Sequence, residues 1–82
     1  MYDLRSAALR GREIDRIIRS RAARVGVTME EALQDAKISR TSYVRHRDES
    51  GFRMEDFRAL NKVLHFPDED LLEIMRIGIG VK

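Results

Sequence analysis

The sequence predicts an all-α domain of five short helices followed by a brief alternating tail. Three kinds of observation point there. Apolar residues recur at three- and four-residue spacing in separate segments, the period of a helix with one buried face. The single proline and the five glycines fall mostly between those segments, where chain breaks are expected. The segments also begin with residues that can cap a helix, most clearly Thr28 followed three positions later by Glu31.

The first helix is expected over residues 12–25. Ile14, Ile17, Ile18, Ala22 and Val25 form its apolar stripe, Arg16, Arg19 and Arg24 lie off it, and Gly26 can end it. Asp15 and Arg19 have the spacing of an i,i+4 ion pair. Residues 1–11 are left as an N-terminal arm or an extra helical turn. The second helix, about 29–36, starts at the Thr28–Glu31 capping box and turns Ala32, Leu33 and Ala36 inward. Lys37 and Ile38 leave no room for a long loop before Ser39, which can cap a third helix over 40–47. Two short helices joined by about three residues form a helix-turn-helix.

Residues 48–51 read as a polar connection. A fourth helix, about 54–65, carries Phe57, Leu60 and Leu64 on one stripe with Val63 beside it, and Phe52 tucks underneath. Pro67 suits a first helical turn. Asp68, Glu69 and Asp70 are favoured there by the partial positive charge of a helix N-terminus. Leu71, Leu72 and Met75 are assigned to the inner face of the fifth helix. The alternation Ile77, Gly78, Ile79, Gly80, Val81 reads as a short strand. A lone strand needs a partner, so Ile77, Ile79 and Val81 are the candidate dimer contacts. The whole reads as one domain, 1–82, with its core at about 12–76 and a tail at 77–82.

The net charge is only +2, but it is unevenly placed. Residues 1–47 hold 11 Arg/Lys against 6 Asp/Glu, whereas residues 48–82 hold 5 against 8. The excess is carried mostly by arginine, whose planar fork suits phosphate. There is no cysteine, which removes disulfide and thiolate chemistry and fits a cytoplasmic protein. No apolar run approaches the ~18 residues of a membrane span. Two isolated histidines make no metal-ligand set, and Asp68, Glu69, Asp70 and Glu73 suit a helix N-terminus better than a pair of catalytic acids. With no Gly-rich phosphate loop and no Ser/His/Asp set, the expectation is a non-enzyme without a cofactor.

Residues 28–47 resemble the helix-turn-helix of lambda-type repressors and Cro proteins (the XRE-like family). Residues 52–66 resemble the fourth helix of small Gram-positive phage relatives, and the resemblance runs over about 12–75. It implies a five-helix, lambda-repressor-like domain that places its third helix in the major groove of double-stranded DNA, usually as a homodimer. Several positions depart from the family pattern. Met29 stands where a phosphate-clamping glutamine is usual, and Ala32 and Leu33 reverse the expected order. Lys37 replaces the turn glycine and must adopt a left-handed backbone, which is costly for most residues. Ala22 and Arg47 occupy the places of an arginine–glutamate pair between helices one and three, which frees Arg47 to face phosphate.

Carried over residue by residue, the resemblance assigns base contacts to Ser39, Arg40, Thr41, Val44 and Arg45. Arg40 and Arg45 stand about 140° apart around the helix, so one reads bases and the other partly meets phosphate. Arg40, nearest the tip, is the first choice for guanine. Tyr43 falls on the inner face, and His46 takes a position that is normally apolar. Phosphate contacts fall to Thr28, at the N-terminus of helix two, and to Arg47 and Arg53. The expected function is a sequence-specific DNA-binding transcriptional regulator of phage or mobile-element type. The alternative is the same fold used as a protein-interaction module without DNA, for which Met29, Lys37 and the acidic second half speak. The scattered arginines face no strongly apolar exposed surface, so a membrane partner is not expected.

Overall fold

The computed structural model describes the backbone of residues 4–78 and the side chains of residues 8–78. Five α-helices follow one another: α1 (Leu4–Val25), α2 (Met29–Ala36), α3 (Arg40–Arg45), α4 (Met54–Leu64) and α5 (Asp68–Ile77). A π-helical turn, His46–Ser50, extends α3. There is no strand among the described residues. Nor is any described helix long and apolar enough to cross a membrane.

α1 starts eight residues earlier than the apolar stripe suggests, so most of the expected arm is helix. Ala7, Ala8, Leu9 and Arg10 are strong helix formers, and nothing before Gly11 breaks the helix. Gly11 itself is a packing residue and not a stop. A Cβ built on it would stand 1.9 Å from the Arg47 carbonyl oxygen, so only glycine lets the π turn approach α1 this closely. The true stop is Gly26, at φ 82°. Its N–H reaches the Ala23 carbonyl, and the Val27 N–H reaches that of Ala22 at 3.0 Å, the paired bonds of a Schellman ending. The chain turns away at this point, which leaves Val25 exposed and not on the core stripe where the periodicity put it.

The capping box of α2 forms as expected. The Thr28 N–H donates to Glu31 Oε1 at 2.9 Å, and the Glu31 N–H donates to Thr28 Oγ1 at 3.1 Å. Lys37 does take the left-handed conformation, at φ 60° and ψ 39°, as its place in the turn requires. The Ile38 N–H then closes onto the Leu33 carbonyl at 2.9 Å. Ser39 caps α3 by accepting from the Ser42 N–H at 3.1 Å.

The core joins Ile14, Ile18 and Ala22 of α1, Ala32 and Leu33 of α2, Tyr43 of α3, Leu60 and Leu64 of α4, and Ile74 of α5, with Phe52 and Phe66 between helices. Phe57 stacks on Phe66, ring centroids 5.5 Å apart. α4 ends one residue before its expected limit, because His65 turns left-handed at φ 50°. The cation that meets its carbonyl end is Arg21 of α1, which donates to the Leu64 carbonyl at 2.9 Å and the His65 carbonyl at 2.8 Å.

α5 is rotated relative to its expected face. Ile74 is completely buried and Leu71 and Ile77 flank the core, whereas Leu72 and Met75 are exposed. Two apolar stripes compete on this helix, and the periodicity cannot choose between them. Ile77 is the last residue of α5 and not the start of a strand. Ile79 and Val81 lie outside the described residues.

Candidate nucleic-acid interface

α3 is a six-residue rod held by one face. Tyr43 is its buried side chain, packed on Phe52 with ring centroids 5.2 Å apart. Successive residues turn by about 100°, so Thr41 and Arg45 stand nearly opposite Tyr43 and project straight outward. Ser39, Arg40, Thr41 and Arg45 are exposed and Val44 is half-buried. Arg40 lies toward α2, where it lines a shallow recess with Glu30, Leu33, Gln34 and Ile38. No hydrogen bond or ion pair engages the guanidinium of Arg40 or Arg45 among the described residues.

Tyr43 is fixed by more than packing. Its hydroxyl donates to Asp15 Oδ1, while Arg19 Nε donates to the other carboxylate oxygen at 2.8 Å. Asp15 is the one charged residue in the buried class among the described residues. With both oxygens occupied, it has the partners that a buried carboxylate needs. Burial, and then the bond to Asp15, push the Tyr43 phenol well above its ordinary value of 10, so it remains a neutral donor. The link between helices one and three is therefore made by Asp15 and Tyr43, and the buried Ala22 has no part in it.

Past Arg45 the helix widens into the π turn, so the expected polar loop at residues 48–50 is helical. A one-turn π segment of this kind is uncommon and often marks a functional region. It ends at Gly51, at φ 85°. Arg47 is not free as expected. Its Nε and Nη2 fork onto the two oxygens of Asp48, at 2.8 and 2.9 Å. That pairing raises the Arg47 guanidinium and lowers the Asp48 carboxyl from their ordinary values. His46 is half-buried, with Nδ1 2.7 Å from Asp56 Oδ2. The same oxygen accepts the Arg53 N–H at 3.0 Å, which joins the π turn to the start of α4. The Arg53 side chain is exposed.

The N-terminus of α2 is less open to phosphate than its position implies. The capping box uses the Thr28 and Glu31 N–H groups, and Glu30 and Glu31 place carboxylates in the first turn. The Glu31 carboxyl is held below its ordinary value, chiefly by the Thr28 backbone N–H and then by its hydroxyl. A phosphate arriving there meets like charge.

A second basic feature lies on α1. Arg12, Arg16 and Arg19 follow one another on one side of the helix and, with Asp15 and Arg47, line a recess of ≈ 460 Å³. Periodicity alone places these arginines off the apolar stripe without grouping them. Asp15 was legible in principle, because it shares the inward arc of Ile14, Ile18 and Ala22. Among the described residues, no three His, Asp or Glu side chains are placed to hold a metal ion.

Comparison of the chain with models of protein families, with functionally characterised proteins and with solved structures finds no match.

Proposed function

We propose that this protein binds double-stranded DNA in a sequence-dependent way and acts as a transcriptional regulator of the phage or mobile-element type that its helix-turn-helix resembles. One observation carries the reading: α3 is anchored on one side by Tyr43 and presents Thr41 and Arg45 on the other, with Arg40 at its tip and, among the described residues, no carboxylate bound to either arginine. An α-helix fits the major groove, and arginine there can bond guanine O6 and N7 together. The helical phase favours Arg45 and Thr41 for base edges, with Arg40 at the side of the groove. The tie to Asp48 makes Arg47 a weaker phosphate contact than Arg53.

Selection of duplexes from a random-sequence pool tests this directly. The expected result is an enriched motif, bound with steep salt dependence because several phosphate contacts release counterions. Arg45→Ala should relax the preference at one base pair by about 1–3 kcal/mol. A folded protein that retains no duplex at low salt overturns the reading. Two half-sites in the motif would accompany a homodimer, which light scattering measures independently.

The second reading is a helix-turn-helix that engages a protein instead. The acidic first turn of α2 and the exposed Leu72 and Met75 of α5 support it. A stable protein complex together with no duplex retention would establish it.

A further inference from the structure

We propose that the arginine recess on α1 is a second contact with the phosphate backbone of the duplex, made outside the helix-turn-helix; this rests on the DNA-binding reading above. Four guanidinium side chains, from Arg12, Arg16, Arg19 and Arg47, surround the recess, and the only carboxylate lining it among the described residues is Asp15. Both Asp15 oxygens are already engaged, by the Tyr43 hydroxyl and by Arg19. The neighbouring Asp48 is occupied by Arg47 and lies 4.0 Å from Arg12. The recess therefore keeps a positive excess after its internal pairs are formed. Arg16 is exposed, and no bond engages it among the described residues.

Its shape selects a polyanion over a small molecule. From Arg12 to Arg19 the row covers about 10 Å of helix, longer than one phosphate group. A single DNA strand presents one charge per ~3.4 Å of axis, so such a row can meet several in succession. The Arg12 and Arg19 side chains are 71% and 50% exposed. A small-molecule site would instead enclose most of its ligand. The row also has a fixed relation to α3, because Arg19 on α1 and Tyr43 on α3 hold the same carboxylate. The row thus keeps a set position relative to α3, whatever the duplex does.

The test compares wild type, the double variant Arg12→Ala/Arg16→Ala and the milder Arg16→Gln by fluorescence anisotropy on a labelled duplex across a salt series. Circular dichroism verifies that each variant is folded. The double variant should weaken binding to all sequences alike. It should also shrink the slope of log affinity against log salt by about 2, since each lost phosphate contact removes ~0.9. Arg16→Gln should remove about half of that. Arg24→Ala, away from the recess, should leave the slope unchanged. Wild-type binding with an unaltered slope in the double variant overturns this inference and leaves the DNA reading intact. Absence of duplex binding by wild type overturns both. Pyrophosphate is added at matched ionic strength as a further arm. Displacement of the duplex no better than by chloride supports the backbone assignment. Strong displacement that vanishes in the double variant shows a small-anion site and overturns it.

Discussion

α1 packs in two different ways. Along Ile14, Ile18 and Ala22 it meets the apolar faces of the other helices, and Ile18 is essentially inaccessible there. Along Gly11 and Asp15 it meets α3 and the π turn through a backbone approach and a buried, hydrogen-bonded carboxylate. The first seam is non-directional: burial stabilises it in proportion to apolar area, and any well-fitting hydrophobe serves. The second depends on the absence of one Cβ and on the direction of one hydroxyl. Stability comes mainly from the first seam, and the position of α3 from the second.

The largest effect should come from emptying the apolar seam. Ile18→Ala should lower unfolding free energy by about 2–5 kcal/mol in denaturant titration, for lost transfer energy and a residual cavity. The fraction that stays folded should bind duplex as wild type does. Weaker binding by fully folded Ile18→Ala would break the distinction between the seams.

Gly11→Ala should come next, at about 3 kcal/mol, the upper part of the usual overpacking range. The obstacle is a backbone carbonyl, which no rotamer change can move aside, so α1 and the π turn must separate. The same substitution in an unencumbered helix interior would add stability. A stabilised Gly11→Ala protein would show that the close approach is not required.

Tyr43→Phe should cost least, about 1–3 kcal/mol, by leaving Asp15 with Arg19 as its remaining partner. It also sharpens the comparison through pH. The folded phenol holds its proton above its ordinary value of 10, whereas the unfolded chain releases it there. The stabilisation is therefore full below pH 10 and declines as pH rises beyond it. Tyr43→Phe should remove that part of the alkaline decline, as thermal melts at rising pH would record.

The apolar seam is also the legible one. Periodicity identifies Ile14, Ile18, Ala22, Ala32, Leu33, Leu60 and Leu64, and capping chemistry places the starts of α2 and α3. It fails where a residue type has two uses. Gly11 reads as a break because a missing side chain serves a turn and a tight crossing equally well. On α5 both stripes are apolar, and only the packed position of α1 selects Ile74 over Leu72. The π turn has no recognised signature in residues 46–50, and it packs on α1 where Gly11 meets the Arg47 carbonyl. The outward residues of α3 come from the resemblance, and helical phase about the buried Tyr43 agrees with it for Thr41 and Arg45. The pairing of Arg47 with its neighbour Asp48, and the grouping of Arg12, Arg16 and Arg19 around a recess, required the tertiary arrangement.

The π turn also separates two kinds of sequence change. Residues 40–45 keep ordinary α-helical geometry ahead of it, and Gly51 releases the chain behind it. The π turn holds one residue more than an α turn, so a single-residue deletion within 46–50 lets it contract to α-helical spacing while α3 ahead of it and the chain beyond Gly51 keep their places. A change of length is thus absorbed at this point, whereas a substitution on the outward face of α3 alters what the protein presents, and the two can vary independently.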